Sequence, residues 1–269
     1  MSTYTGKTAL ITGASSGIGA AFARALAARG ANLILVARSE DKLRELATTL
    51  ASQHSIRAEV IAADLSRPAA GQELFAATQQ LGLPIDILIN DAGFGTYGSF
   101  DSIDAGREQQ EIMLNVAAVV DLTHRFLPAM IARGNGSIIN VASTAAFQPV
   151  PYSAVYGASK AFVLSFSEAL WAEYRGKGVR VLVLCPGPTS TNFFNVVGTE
   201  DGALGTKETP EKVVQVALRA LEQGMPSVIS GLQNVLRANS VRFFPRGMVA
   251  RIGEQMMRPR GRQEGRQRR

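Results

Sequence analysis

The chain has 269 residues, of which 46% are hydrophobic and 19% are charged. This apolar fraction is that of a globular protein and excludes an intrinsically disordered chain. A disulfide framework is also excluded, because Cys185 is the single cysteine. Cys185 ends the apolar run Val179–Cys185, which predicts a buried thiol in a reducing compartment.

Hydrophobic segments that would target or anchor the chain are not found in the sequence. No apolar run reaches the roughly 18 residues of a membrane-spanning helix. The first apolar stretch, Ala9–Ile11, is too short for the core of a secretory signal. We therefore expect a cytoplasmic protein.

The formal net charge of +6 is concentrated at one end of the sequence. Residues 258–269 hold six arginines and one glutamate, a net charge of +5, which leaves +1 for residues 1–257. This tail is expected to be a disordered, solvated end, with weak contact to anionic lipid or RNA as the alternative. Because basic patches are lacking elsewhere, nucleic-acid binding is not expected as the main function.

Short β-branched runs alternate with amphipathic segments along the chain. The predicted strands are Thr8–Thr12, Asn32–Ala37, Ala58–Ala62, Ile85–Asn90, Ser137–Ala142, Val179–Leu184 and Ser227–Ser230. The predicted helices are a segment of about a dozen residues ending at Gly30, then Glu40–Gln53, Ala69–Leu81, Ile103–Leu114, Val116–Arg133 and Ala154–Arg175. Strands that are apolar on both faces and alternate with helices predict an α/β fold, a doubly wound parallel sheet of about seven strands. Residues 1–231 are predicted to form one domain, with residues 232–257 as an amphipathic extension of it.

A glycine-rich turn follows the first predicted strand and opens the first helix. Its sequence, Thr12-Gly13-Ala14-Ser15-Ser16-Gly17-Ile18-Gly19, has the spacing G-x-x-x-G-x-G. Glycines let the chain turn sharply and let a pyrophosphate approach main-chain N–H groups at the positive end of a helix. We therefore predict a dinucleotide-binding turn, to which Gly13, Ser15, Ser16, Gly17, Ile18 and Gly19 contribute.

The end of the second predicted strand bears on the choice of dinucleotide. An NAD-selective fold places Asp or Glu about 20 residues past the glycines, where it binds the ribose 2′-hydroxyl. Ala37 takes that position here and Arg38 follows it; a guanidinium pairs well with a 2′-phosphate. NADP is therefore favoured over NAD. The alternative is a solvated Arg38, with Glu40 or Asp41 on the ribose.

A tyrosine and a lysine lie four residues apart in the longest predicted helix. Tyr156 and Lys160 share one helical face, and the strand before this helix leads into Ser143. The Ser143 hydroxyl is predicted at the carboxyl edge of the sheet, where folds of this kind bind ligands. A tyrosine, with a pKa of about 10, is a poor acid or base at neutral pH. The nearby ammonium is expected to lower the pKa of Tyr156 toward the working range.

Taken in order along residues 5–231, these motifs resemble the short-chain dehydrogenase/reductase family in its compact, one-domain, Rossmann-type form. The resemblance rests on the turn Thr12–Gly19, Asp64-Leu65, Asn90-Asp91-Ala92-Gly93, Asn115, Ser143, Tyr156 with Lys160, and Pro186-Gly187 with Thr191. It implies an oxidoreductase that interconverts a carbonyl compound and an alcohol with a nicotinamide cofactor.

The same resemblance implies a role for each residue of the site. Tyr156 donates a proton to the ketone oxygen, Lys160 lowers the pKa of that phenol, and Ser143 polarises the carbonyl. Asn115 holds a water that relays protons to Lys160. The cofactor contacts implied beyond the turn and Arg38 are Asp64 and Leu65 at the adenine, Asn90, Ala92 and Gly93 on the cofactor floor, Tyr156 and Lys160 at the nicotinamide ribose, and Pro186, Gly187, Thr189 and Thr191 at the carboxamide.

One position departs from the family's usual Asn-Asn-Ala-Gly, because Asp91 stands where the second Asn is usual. Asp and Asn have the same shape, but a carboxylate lacks the amide's donors and adds charge near the cofactor floor. We expect the substitution Asp91→Asn to leave turnover within a few-fold.

The segments predicted to meet the substrate are apolar, and their large side chains are Phe94, Tyr97, Phe147, Phe193, Phe194, Val196 and Val197. They favour an aliphatic, acyl or steroid-like carbonyl compound, with some of them expected to pack against helices instead. The small and polar stretch Gly198–Gly205 is predicted to be a mobile lid, poorly ordered without ligand.

Residues 232–257 mix aromatic and Met side chains with arginines. Packing within the protein is the favoured interpretation, and a cap on the pocket, a subunit contact or a membrane-surface helix are the alternatives. By the resemblance, the helices around 116–133 and 154–175 would form the contacts of a homodimer or homotetramer. We expect an NADP-dependent carbonyl reductase or alcohol dehydrogenase without a metal; the alternative is a non-catalytic NADP-binding sensor or scaffold.

Overall fold

The computed structural model of this chain describes residues 4–198 and 206–259. Seven parallel strands form one sheet in the order β3-β2-β1-β4-β5-β6-β7. Their bounds are β1 Thr8–Thr12, β2 Asn32–Ala37, β3 Ala58–Ala62, β4 Ile87–Asn90, β5 Gly136–Val141, β6 Val179–Cys185 and β7 Ser227–Ile229. This confirms the predicted doubly wound α/β fold.

Helices cover both faces of the sheet. Their bounds are α1 Gly17–Ala27, α2 Glu40–His54, α3 Ala70–Gln80, α4 Ala105–Ile112, α5 Ala118–Ala132, α6 Ala154–Tyr174, α7 Phe193–Val197, α8 Pro210–Glu222, α9 Leu232–Ser240 and α10 Arg246–Met257. Because side chains alternate along a strand, β1 sends Ala9 and Ile11 into the core under α1, α2 and α8, and Leu10 into the core under α3 and α5. Because helices cover both faces of the sheet, side chains on both sides of such a strand are buried, which explains why the central strands are apolar at nearly every position.

The two helices predicted over residues 103–133 form one continuous helical segment. α4 and α5 are joined by a π-helical turn at Met113–Ala117. Such a turn contains one extra residue, so the apolar stripe changes phase there, and the pattern had indicated a boundary between two helices. The segment 105–132 is long and apolar enough to cross a membrane by length and composition alone. Here Leu122, Phe126 and Met130 pack against the sheet instead.

Several elements were not predicted from the sequence. They are helices α7 and α8 and the 3₁₀ turns Phe100–Ser102 and Thr144–Phe147. The irregular stretch after residue 231 forms α9, a 3₁₀ turn at Val241–Phe243 and α10. Most of the predicted lid, residues 199–205, and most of the basic tail, residues 260–269, lie outside the described residues.

A buried polar network joins the middle of the sheet to α6. Asn90 at the end of β4 donates to Asn140 Oδ1 on β5 at 2.9 Å. Asn140 in turn donates to Ser167 Oγ on α6 at 2.9 Å, and Ser167 donates to Val163 O at 2.6 Å. Asn90, Asn140 and Ser167 are all buried. Buried hydrogen-bond networks fix relative positions, so this one helps to set where α6 lies on the sheet.

The substitution Asn140→Ala is expected to lower the free energy of unfolding by about 2 to 4 kcal/mol, because it opens a cavity and removes the buried hydrogen bonds that Asn140 makes with Asn90 and Ser167. Chemical denaturation measures this change. The matched control is Asn135→Ala at an exposed site, with an expected change within about 0.5 kcal/mol. Equal effects of the two substitutions would show that the network does not stabilise the fold.

Candidate functional site

The candidate site is a cavity of about 390 Å³ at the carboxyl edge of the sheet. The strand order runs outward from β1 to β2 and β3, then returns to β4 on the other side of β1. The crossover helices therefore leave a crevice outside the ends of β1 and β4, which is where doubly wound sheets bind ligands. The glycine turn after β1 and the first turn of α6 face each other across this cavity.

Close main-chain approach explains the glycines of the turn. Gly13 has φ +71°, and a Cβ there would lie 2.9 Å from the main-chain nitrogen of Ala92. Gly17 has φ +57°, and its Cβ would lie 3.1 Å from Thr191 Cγ2. Both positions have the left-handed conformation that side chains disfavour. The turn is thus a bare main-chain surface at the N-terminus of α1, which suits a phosphate.

Thr12 fixes the turn to the segment after β4. Its hydroxyl oxygen accepts from the main-chain N–H of Asp91 at 3.0 Å and of Ala92 at 3.1 Å. The same hydroxyl donates to Ile89 O at 3.3 Å. One buried side chain therefore closes the floor of the crevice between the two strand ends.

The far end of the cavity is lined by Arg38, Asp64 and Leu65. The pKa of the Asp64 carboxyl is lowered, mainly by the hydrogen bond from Ser66. The charge of Arg38, which is exposed, lowers it further by a smaller amount. Glu40 is paired with Arg44, and neither Glu40 nor Asp41 lines the cavity. A cationic group, and not a carboxylate, therefore stands where β2 meets the cavity.

Ser143, Tyr156 and Lys160 come together in the wall between β5 and α6. The Tyr156 hydroxyl is hydrogen-bonded to Ser143. Lys160 Nζ donates to Val141 O at 2.9 Å and lies 5.8 Å from the centre of the Tyr156 ring. The helical spacing predicted from the sequence thus brings the phenol and a buried ammonium together, next to the Ser143 hydroxyl.

Asn115 lies in the π-helical turn and is fully buried. Its side chain accepts from Phe94 N at 3.2 Å and donates to Phe94 O at 2.8 Å. It also donates to Ser159 Oγ at 3.1 Å, and Ser159 donates to Tyr156 O at 2.8 Å. Asn115 therefore clamps the loop after β4 to the helix turn that carries Tyr156.

The pKa of Tyr156 departs from the sequence-based expectation. Burial raises it to about 12, and the hydrogen bond to Ser143 lowers it only in part. Burial lowers the pKa of Lys160 to about 8. The nearby carboxyls of Asp91 and Glu111 have the opposite, smaller effect and raise that pKa. The expected lowering of the Tyr156 pKa by the ammonium is therefore wrong for this arrangement, in which desolvation dominates.

Asp91 lies half-buried beneath the glycine turn. Its Oδ2 would lie 2.8 Å from a Cβ at Gly19 and 3.1 Å from one at Gly13, and its carboxylate accepts from the main-chain N–H of Gly19. Burial raises the pKa of Asp91 to about 7, while Lys160 acts in the opposite direction. The carboxylate thus holds the turn by a main-chain hydrogen bond that an amide oxygen could also accept.

Most predicted site residues line this one cavity: Gly13, Ser15, Ser16, Gly17, Ile18, Arg38, Asp64, Leu65, Ala92, Gly93, Ser143, Tyr156, Lys160, Pro186, Gly187, Thr189 and Thr191. Three do not. Gly19 lies under the turn, Asn115 lies behind Phe94, and Asn90 points into the network with Asn140. Asn90 was placed on the cofactor floor because it precedes Ala92 and Gly93, but it is buried in the sheet instead.

The sequence did not single out Glu111, one turn before Asn115. This glutamate is fully buried, its Oε2 accepts from Thr96 Oγ1 at 2.9 Å, and burial raises its pKa to about 7. A lone glutamate in an amphipathic segment ordinarily faces solvent. Only its four-residue spacing from Asn115 could have indicated that it faces the site.

The part of the cavity beyond Tyr156 is apolar. Phe193 lies against Tyr156 with ring centres 5.4 Å apart. The other large apolar side chains of this wall are Phe94, Tyr97, Leu114, Phe194, Val196, Val197 and Met257. Asn234, Arg237 and Ala238 of α9 complete it, so the C-terminal segment caps the pocket on one side. Phe147, predicted for the same wall, packs instead with Val163 and Cys185.

Comparison with known proteins agrees with this geometry. Residues 7–202 match the family model described as short chain dehydrogenase. Ketoacyl reductase HetN from Nostoc sp. is 34% identical over 85% of this chain and 80% of its own length. A 7beta-hydroxysteroid dehydrogenase from Collinsella aerofaciens is 36% identical over 85% of this chain and 88% of its own.

Solved structures give the same result. A short-chain dehydrogenase from Sphingobium yanoikuyae in complex with NADPH is 33% identical, with a TM-score of 0.81 over 96% of this chain and 98% of that one. The bulky-bulky ketone specific alcohol dehydrogenase from Comamonas testosteroni is 33% identical, with a TM-score of 0.77 over 96% of both chains. The family model spans well over half of the sequence, and the chain belongs to the short-chain dehydrogenase family.

Proposed function

We propose that this protein is an NADPH-dependent carbonyl reductase that acts on an apolar ketone or aldehyde and also catalyses the reverse oxidation. The observation that carries the proposal is the cluster of Ser143, Tyr156 and Lys160 in the wall of the cavity. A protein that only bound the dinucleotide would have no need of a phenol that lines the cavity between a serine hydroxyl and a buried ammonium. The oxidoreductases among its relatives support the same reaction class.

The cavity fits a dinucleotide along its length. The bare glycine turn at the start of α1 would hold the pyrophosphate, because any side chain at Gly13 would meet Ala92. Arg38 would pair with a 2′-phosphate, which favours NADP over NAD. Thr189 and Thr191 also line the cavity, with Thr191 beside Gly17, and would contact the carboxamide.

A bound NADPH supplies the hydride. Ser143 would donate to the substrate oxygen and fix the carbonyl next to Tyr156. Tyr156, whose high pKa keeps the phenol protonated at neutral pH, would then give its proton to the oxygen as negative charge develops there. Lys160 would restore that proton, directly or through water, which requires the lysine in its charged form.

The substrate class follows from the wall beyond Tyr156. Phe193 and Phe194 meet edge-on there with ring centres 5.5 Å apart. An apolar wall gains affinity from the buried area of its ligand, so we propose an aliphatic, acyl or steroid-like body. The hydroxysteroid dehydrogenase and bulky-ketone enzyme among the relatives support this choice.

We also propose a cytoplasmic homo-oligomer. Phe162 of α6 is partly exposed and stacks on Phe166 with ring centres 5.8 Å apart. Ile112 of α4, a helix that packs against α6, is also exposed. These side chains offer an apolar area outside the cavity that a second copy would cover.

Tyr156→Phe is expected to lower kcat for ketone reduction by about 10² to 10⁴-fold, because the general acid is removed. NADPH oxidation against ketones graded in chain length and ring size measures this, with rates that rise with apolar bulk in the unmodified protein. Tyr174→Phe, at the other end of α6, is the matched control and should change little. Tight NADPH binding with no turnover of any ketone would favour the sensor or scaffold instead.

The charge of Lys160 predicts the pH dependence of reduction. Its pKa of about 8 means that the ammonium is present below pH 8 and is lost above it. We therefore expect kcat/KM for reduction to be level below about pH 8 and to fall at higher pH, while the oxidation rises toward alkaline pH.

Asp91→Asn tests the origin of that profile. The Asp91 carboxylate raises the pKa of Lys160. In the Asp91→Asn variant, kcat/KM should therefore begin to fall at a lower pH than in the unmodified protein. Below that pH, the kcat/KM values of the two proteins should agree within a few-fold. Asp41→Asn, an exposed change outside the cavity, is the control and should leave the profile in place. An unmoved profile in Asp91→Asn would show that this carboxylate does not act on Lys160.

Arg38→Ala is expected to weaken NADPH binding by about 10- to 100-fold, since one charge-assisted contact is worth about 1.5 to 3 kcal/mol. NADH binding should change little, because NADH lacks the 2′-phosphate. The ratio of KM values for the two cofactors measures the effect. Arg44→Gln, which removes an arginine of α2 outside the cavity, should keep the ratio of the unmodified protein.

A further inference from the structure

The outer side of α9, α10 and the turn between them is the most apolar exposed area in the described part of the chain. The described residues include twelve large apolar side chains that are exposed, and seven of these fall within residues 232–256. They are Leu232, Leu236, Phe243, Phe244, Met248, Ile252 and Met256. We call these seven, with the arginines among them, the C-terminal surface.

The two helices are amphipathic in a way that leaves this surface uncovered. On α10, Gly253 lies against Pro151 and Met257 is buried, while Met248, Ile252 and Met256 follow at four-residue spacing on an outer stripe. On α9, Asn234 and Ala238 are buried and Leu232 and Leu236 face outward. Phe243 in the intervening turn is 85% exposed. Packing within the protein, the interpretation favoured from the sequence, therefore accounts for only the inner side.

The charge of this surface selects its partner. Residues 232–259 contain five arginines and one glutamate. The glutamate, Glu254, is already engaged by Arg258 at 2.9 Å and by the Tyr152 hydroxyl at 3.0 Å. Arg242, Arg246 and Arg251 are exposed, and no side chain in the described ranges pairs with them. A second copy placed symmetrically on this surface would bring arginine against arginine, whereas an anionic surface would neutralise them.

We propose that the C-terminal surface docks on an anionic phospholipid bilayer. Exposed Phe, Leu and Met side chains beside arginines are the composition of helices that lie in the membrane interface, with the apolar side chains in the acyl boundary and the guanidinium groups at the headgroups. Phe243 and Phe244 would enter the lipid, and Arg242, Arg246 and Arg251 would contact the phosphates.

The position of this surface gives the docking a use. The inner side of the same helices supplies Asn234, Ala238 and Met257 to the cavity wall, and Met257 O accepts from the Tyr97 hydroxyl at 2.6 Å. Docking would therefore hold the cavity close to the bilayer, in which apolar carbonyl compounds concentrate. This consequence rests on the proposed function, whereas the docking itself does not.

Flotation of the full chain with vesicles tests the proposal. The vesicles are phosphatidylcholine alone, or phosphatidylcholine with one part in four of phosphatidylglycerol. We expect salt-sensitive binding to the anionic vesicles only. The double variant Phe243→Ser with Phe244→Ser should weaken it by about tenfold or more, as expected from the loss of apolar burial. The triple variant Arg242→Gln, Arg246→Gln and Arg251→Gln should weaken it to a similar extent.

Matched controls separate this surface from general stickiness and from the basic tail. Phe100→Ser with Met225→Ser removes two exposed apolar side chains elsewhere. Arg24→Gln, Arg180→Gln and Arg219→Gln remove three exposed arginines outside residues 232–259. Both controls should bind as the unmodified chain does, with circular dichroism showing that every variant is folded.

Two results would overturn the proposal. One is binding that survives the Phe243 and Phe244 variant, which would assign the interaction to the arginine-rich tail. The other is absence of vesicle binding together with a concentration-dependent dimer that the same variant dissociates in analytical ultracentrifugation, which would make this surface a contact between copies. Turnover of a small soluble ketone is measured in parallel, so that failure of docking and failure of the proposed reaction are distinguished.

Discussion

The parallel direction of all seven strands is the constraint on which the site depends. Parallel neighbours need a crossover connection, and each crossover returns the chain to the same edge. Every loop that follows a strand therefore emerges at the carboxyl edge, and the turns after β1, β4, β5 and β6 meet there. Residues as distant in sequence as Gly17 and Thr191 lie close together only because of this arrangement.

The second feature of the site is that several ionisable groups are buried near one another. Asp91, Glu111 and Lys160 each have a pKa moved toward neutrality by burial, and each of the carboxyls acts on the lysine. Burial of isolated charges is costly, and groups of this kind concentrate at functional sites. Burial thus brings the pKa values of these three groups closer to neutrality, whereas it raises the pKa of the Tyr156 phenol.

Much of the fold and of the site could be predicted because the signals are local. Strand and helix periods are visible within windows of a few residues, and the glycine turn and the pair Tyr156 and Lys160 each lie within eight residues. The misplaced features depend on tertiary packing. The extra residue in the π-helical turn resembled a helix boundary, Glu111 resembled a solvated residue, and Asn90 was grouped with Ala92 although the sheet buries it. The pKa of Tyr156 depends on the desolvation of its phenol, which the sequence around Tyr156 and Lys160 does not reveal.

Chemical labelling of the single thiol of the chain can measure the opening of the sheet at β6. Cys185 ends β6 with no exposed surface, packed beside Ala142, Val163 and Val183, and burial raises the pKa of its thiol to about 12. Alkylating reagents attack the thiolate, so they can modify only molecules in which β6 has separated from α6. The rate of labelling therefore measures how often the strand leading into Pro186 and Gly187 opens, and any ligand held in the cavity would slow that rate in proportion to its binding.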